Sequence, residues 1–259
     1  MEKKSFSIFF YGFKHAVFPL LLITVYLGIC KFNIVNPYLI PRPGQIITAF
    51  ISLTHQGVLP HHIAMSLKRV FAGFSLTVIF AVPLAMFFYF FRRTSGFLLG
   101  TLHFLRNTPP LAMVPLLILW FGIGEASKLV LIIMASFFPV FLNTLSGLNQ
   151  VDSQLIEMGD TLELSKVEKI LHILLPEALP TILTGMRLSF GYSWRALIGA
   201  EMIAASSGLG YMILDAQELA RTDIVFIGII SIGFSGLLID YASLRIIQRI
   251  FPWIPGEEL

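Results

Sequence analysis

The chain has 259 residues, 56% of them hydrophobic and only 13% charged, with a mean hydropathy of +0.82. Soluble domains carry about 25% charged residues, and a soluble fold of this length has too little interior for so much apolar surface, so the expected solvent is lipid. A formal charge of +3 is too small to point to nucleic acid, and a single cysteine, Cys30, excludes an internal disulfide framework.

In chain order, Lys3, Lys4 and Lys14 precede an apolar run reaching Cys30. The run resembles a signal peptide, but bulky Ile29 before Cys30 is a poor processing site and no small-residue cleavage signal follows, which favours an uncleaved first span over 15–30. Within the loop that follows, GQIITAFISLTH (44–55) places Ile46, Ile47, Phe50 and Ile51 on one helical face, suited to the outer membrane surface or to packing on the bundle. Windows 70–91, 107–124, 129–151 and 224–239 lack Asp, Glu, Lys and Arg, and 183–204 is interrupted only by Arg187, Arg195 and Glu201. A helical crossing needs about 20 apolar residues, so the expectation is an all-α integral membrane protein of about six spans. Asn107-Thr108-Pro109-Pro110 breaks any helix before the third span, leaving 95–105 as a short surface helix.

Orientation follows from the cations. With the N-terminus inside, Lys3, Lys4, Lys14, Arg92, Arg93, Arg106, Lys166, Lys169, Arg187, Arg245 and Arg249 face the cytoplasm. Lys31, Arg42, Lys68, Arg69, Lys128 and Arg221 face outward, and this imbalance favours both termini cytoplasmic. Division by function gives 1–59 as a first span plus surface helix, 60–249 as the transmembrane core and 250–259 as a tail.

Between the fourth and fifth spans lies EMGDTLELSKVEKILHILLPEALP (157–180), the most charged stretch of the chain. Ser165 and Glu168 fit a capping box, and Val167, Ile170, Leu171 and Leu174 recur at helical spacing behind it. Pro176 and Pro180 discourage continuation, and 155–162 suits another short helix, giving helix, turn, helix along the inner surface. A solvated loop would not need a capped amphipathic helix, although it would tolerate one. A lever, with one face on the spans and the other on a soluble partner, would need it.

This stretch resembles the cytoplasmic EAA loop of the membrane subunits of binding-protein-dependent ABC importers. That pattern runs Glu-Ala-Ala, a Gly after three residues, then, nine residues on, Ile-any-Leu-Pro; here Glu157-Met158-Gly159 and Ile173-Leu174-Leu175-Pro176 occupy its two ends. Met158-Gly159 replaces the alanines and Glu163 stands at the Gly position, where positive φ costs a residue with a Cβ about 1–2 kcal/mol. PPLAMVPLLILWFGIGEASK (109–128), FFPVFLNT (137–144), Ser193-Trp194-Arg195, Ala200-Glu201-Met202 and SSGLGYMI (206–213) resemble the permeases of sulfonate, taurine and nitrate importers.

The resemblance implies a non-catalytic permease of the bacterial inner membrane with no cofactor of its own. It implies a second permease copy as homodimer partner, two cytosolic ATPase subunits and an extracytoplasmic substrate-binding protein. ATPase coupling would fall to Glu157, Met158, Gly159, Glu163, Ser165, Lys166 and Lys169, with Leu175 and Pro176 linking the loop to the fifth span. Trp194, Arg195 and Glu201 are the translocation-path candidates. Arg195 lies about 18 Å into the fifth span and is expected to face the interior or a wet cavity, either to meet a passing anion or to pair with another helix. Glu201 is six positions on and does not share its face, which places it nearer the outer mouth. Asp240 and Arg245 read as interfacial anchors and His172 as a surface residue.

The competing reading is an ion-gradient-driven secondary transporter, which usually needs titratable groups within the spans; only Glu201 and Asp240 qualify, and no inverted halves are evident. A membrane enzyme would need a nucleophile, base or metal constellation that cannot be assembled here, and no GxxxxGK[ST] phosphate cradle occurs. Sulfonate, taurine, nitrate, bicarbonate and heterocyclic vitamin precursors all remain open as cargo.

Overall fold

The computed structural model describes residues 17–18, 20–32, 35–36, 38–91, 100, 102 and 104–253. Among them every regular element is helical. Helix α1 (Leu20–Lys31) is short and apolar. Helix α2 (Pro43–His55) starts where Pro43 pre-sets the backbone and the Gln45 side chain accepts a hydrogen bond from the Arg42 N–H at 2.9 Å. It packs Ile46, Ala49 and Leu53 on the bundle and leaves Ile47, Phe50 and Ile51 exposed, so the single apolar face expected over 44–55 is divided in two.

Helix α3 (Val58–Phe90) is followed, after a gap in the described residues, by a 3-10 turn (Pro110–Met113) running into α4 (Val114–Phe121). The surface helix expected over 95–105 lies mostly outside the described residues. The third span expected over 107–124 is here a helix of about 18 Å, well short of the roughly 30 Å hydrocarbon core. Pro109 and Pro110 delay its start, and Gly122 at φ 76 ends it.

Helix α5 (Glu125–Asn149), α6 (Ser153–Thr161), α7 (Lys166–Lys169), a π turn (Ile170–Leu174), α8 (Leu175–Ala204), α9 (Leu209–Glu218) and α10 (Thr222–Ile250) complete the chain. Helices α3, α5 and α10 are each long and apolar enough to cross a bilayer; α8 and α9 form a broken pair bent by 42°. The expected stop at Pro176 and Pro180 does not occur, because Lys166–Ala204 runs on as one helix. The π turn permits this: the Leu175 N–H bonds to the Ile170 carbonyl, widening the turn just where the Pro176 ring would meet the carbonyl four residues earlier.

The most extensive packing joins α5 to α8, then α3 to α5. Gly147 approaches the Ala178 backbone and Gly185 approaches Asn143, the small-residue contact that lets membrane helices pack closely. The Thr77 and Ser136 hydroxyls lie 2.8 Å apart, and the Ser189 hydroxyl donates to the Ser136 carbonyl at 3.0 Å, giving this apolar core a polar seam.

Candidate functional site

The charged segment folds as an elbow. Asp152 caps α6 by accepting from the Gln154 N–H at 2.9 Å. At its other end the Leu164 N–H bonds to the Gly159 carbonyl and the Glu163 N–H to the Asp160 carbonyl, both at 3.0 Å, with Glu163 at φ 52. This is a Schellman motif with Glu where Gly is the usual choice. The turn is therefore kept and the strain of a Cβ at positive φ is borne, offset by the two closing bonds and by the Lys169–Asp160 ion pair across the elbow.

The capping box on α7 forms: the Glu168 carboxylate accepts from the Ser165 N–H at 2.8 Å, and the Ser165 hydroxyl accepts from the Glu168 N–H at 3.3 Å. The Ser165 bonds hold the Glu168 carboxyl below its ordinary value. Gly159 is needed for contact rather than for its φ, since a Cβ there would sit 2.7 Å from Ile173 Cδ1 and 3.2 Å from the Lys169 side chain.

The expected apolar stripe is divided. Ile170 and Leu174 turn inward with Ile173 onto Leu148, Val151, Ala178 and Ile182, while Val167 and Leu171 turn outward. Met158, Leu162, Val167 and Leu171 are 50%, 63%, 63% and 54% exposed, interleaved with exposed Glu157, Glu163, Ser165 and Lys166. Lys169 and Leu175 are half-buried and Pro176 is exposed.

Trp194, Arg195 and Glu201 do not form one site. Trp194 is buried and donates from Nε1 to the Ile232 carbonyl at 3.3 Å, tying α8 to α10. Arg195 is exposed on a cleft of about 860 Å³ bounded by Leu102, Leu105, Arg106, Thr108, Pro110 and Leu111 together with α5 and α8, its guanidinium 5.8 Å from the Tyr192 ring centre. Glu201, expected near the outer mouth, is fully buried. Asp240 is more than an interfacial anchor: both its oxygens accept from Arg187 at 2.7 Å, a second α8–α10 tie.

Glu201 belongs to a clasp centred on Arg69, itself 3% exposed. Arg69 donates from Nε and Nη2 to Glu125 at 2.7 and 2.8 Å, from Nη1 to Glu201 at 2.8 Å, and from Nη1 and Nη2 to the Ser207 carbonyl and hydroxyl at 2.6 and 2.9 Å. All five guanidinium N–H groups are thereby satisfied. Lys128 adds a bond to Glu125 at 3.1 Å, so two cations neutralise two carboxylates. The clasp also caps α9 from afar: the Gly208, Leu209 and Gly210 N–H groups donate to His62 Nδ1, Ser66 Oγ and Glu201 Oε2 at 3.0, 2.9 and 3.1 Å. Gly208, at φ 114 and ψ 167, occupies backbone space essentially restricted to glycine.

Sequence reading missed this clasp because Arg69 was counted as an outward surface cation. The available signal was a set of opposite charges, Arg69, Glu125 and Glu201, all at the same end of the predicted spans. Among the described residues no group of three His, Cys, Asp or Glu is placed to hold a metal.

The family model described as "Binding-protein-dependent transport system inner membrane component" matches residues 73–252. SsuC of Bacillus subtilis (strain 168), named as an aliphatic sulfonates transport permease protein, is 38% identical over 240 residues, covering 92% of this chain and 87% of its own. The taurine transport system permease protein TauC of Escherichia coli (strain K12) is 34% identical over 237 residues, covering 90% and 86%. The bicarbonate transport system permease protein CmpB of Synechococcus elongatus is 31% identical over 190 residues, covering 73% and 67%. In fold, the chain is similar to the inward-facing MetNI methionine ABC transporter, with TM-score 0.57 and 16% identity over 75% of this chain and 98% of that one. By these matches the chain belongs to the binding-protein-dependent transport system inner membrane component family, and is an inner-membrane permease subunit of an ABC importer.

Proposed function

We propose that the chain lines the translocation path for a small anionic or heterocyclic solute, paired with a second copy of itself, and takes its driving force from separate cytosolic ATPase subunits docked on the elbow. Six crossings with both termini cytoplasmic fit the cation distribution, with α1 and α4 as the two short members. A binding protein on the outer side would deliver the solute. The relatives named for sulfonates, taurine and bicarbonate support an anion among these solutes.

The observation that carries the docking role is the outward face of the elbow. Met158, Leu162, Val167 and Leu171 stay exposed while the opposite face is packed on α5 and α8. Apolar anchors rimmed by charge are the composition of a protein interface rather than of a solvated loop. Glu157, Met158, Glu163, Ser165 and Lys166 would meet the ATPase, Gly159 and Lys169 would hold the two arms together, and Leu175 and Pro176 would pass the movement into α8.

Charge reversal at Glu157 and Glu163, both to Lys, is expected to abolish co-purification of the ATPase while leaving membrane insertion and α8 intact. Undiminished co-purification overturns the docking role. Uptake that survives ATP depletion but collapses with a protonophore would favour a gradient-driven transporter instead.

A further inference from the structure

In the last turns of α10 an exposed apolar face runs directly into charge. Leu237, Tyr241, Arg245 and Arg249 recur every fourth residue and are all exposed, so they form one stripe about 18 Å long at 1.5 Å per residue. Leu238 borders the stripe and is exposed as well. The Arg245 guanidinium lies 5.0 Å from the Tyr241 ring centre, and just past the helix end exposed Trp253 packs edge-on against Phe251. Among the described residues neither Arg245 nor Arg249 has a carboxylate partner. The acid closest to them along the helix, Asp240, has both oxygens engaged by Arg187 at 2.7 Å.

We propose that this stripe binds an anionic phospholipid, its phosphate held by Arg245 and Arg249 and an acyl chain lying along Tyr241, Leu238 and Leu237. The site lies outside the translocation path and the elbow, and it requires only that α10 cross the bilayer. Its length fits one leaflet, since about 18 Å is slightly more than half of the roughly 30 Å hydrocarbon core. The Tyr241 ring steadies the Arg245 guanidinium and leaves its planar fork free to donate to a phosphate. Tyr and Trp favour the headgroup level, where Tyr241 and Trp253 bracket the two arginines. A zwitterionic headgroup brings its own cation up to the guanidinium pair, whereas an anionic headgroup does not. The site therefore selects phosphatidylglycerol over phosphatidylcholine.

The test uses the importer assembled with its ATPase in phosphatidylcholine nanodiscs, with Cys30→Ser and a bimane fluorophore on Leu238→Cys. Dibrominated phosphatidylglycerol and dibrominated phosphatidylcholine are compared as quenchers at equal mole fraction. Only fluorophores within the bilayer are quenched, so any label on the soluble ATPase adds a constant background. Two cations at an anionic surface supply up to about 30-fold, and the glycerol lipid is expected to associate more strongly by at least about fivefold. Arg245→Gln with Arg249→Gln should remove most of that ratio. The same fluorophore on Ile79→Cys, an exposed position on α3, should show little preference. Equal association of the two lipids at 238, a preference as large at 79, or a ratio unmoved by the glutamines each overturns the inference. No quenching by either lipid overturns it too, by showing that protein covers the stripe. So does loss of ATPase co-purification in the glutamine variant, which would assign the two arginines to the ATPase.

Discussion

Replacing Arg69 by Met tests whether the clasp holds α3, α5, α8 and α9 as one unit. The change leaves Glu201, fully buried, with only Ser66 and the Gly210 N–H as partners. It also removes both bonds to Ser207, whereas Glu125, 55% exposed, can return to water. Stranding one member of a buried pair costs about 3–5 kcal/mol. At about 2–4 °C per kcal/mol for a chain of this size, that is a fall of about 10 °C in Tm. Glu201→Gln alone should cost less, because Glu125 still neutralises Arg69. The decisive variant is the pair Arg69→Met with Glu201→Gln, which removes the stranded charge while the amide can still accept from Gly210. It should melt above the Arg69→Met single, a non-additivity expected only of groups in contact. Thermal unfolding in nanodiscs, followed by near-ultraviolet circular dichroism, reads all three. A double variant destabilised by the sum of the singles, or an Arg69→Met protein melting within about 2 °C of the parent, refutes the clasp.

Gly208→Ala should be more damaging than any exposed glycine change, because its Cβ would lie 2.2 Å from the Glu201 carboxylate at a φ of 114. Loss of folded protein from the membrane is the expected readout, and normal yield with an unchanged melt contradicts the geometry. Glu163→Gly should relieve the positive φ of the elbow and stabilise it by about 0.5–1 kcal/mol, seen as slower amide exchange at Leu164, whose N–H closes the turn. Faster exchange at Leu164 in the glycine variant would show that the Glu163 side chain contributes more than its backbone costs.

The family resemblance located the position in the elbow where the backbone turns to positive φ, and the sequence by itself determined the lipid environment, the long apolar helices, and the capping box at Ser165 and Glu168. These are legible because hydrophobic periodicity and capping act within a few residues along the chain. Tertiary structure alone decided the rest. The apolar run at 107–124 became a short helix, the proline at 176 was absorbed by a π turn, and the stripe on the elbow was divided between core and surface. Arg69 meets Glu125 and Glu201 from 56 and 132 positions away, and Arg195 is left on the cleft while Arg187 finds Asp240. Spacing along the chain carries no record of such pairings. They are fixed by which helix faces meet when α5 and α8 pack, and by the cost of leaving a charge unpartnered in a medium without water.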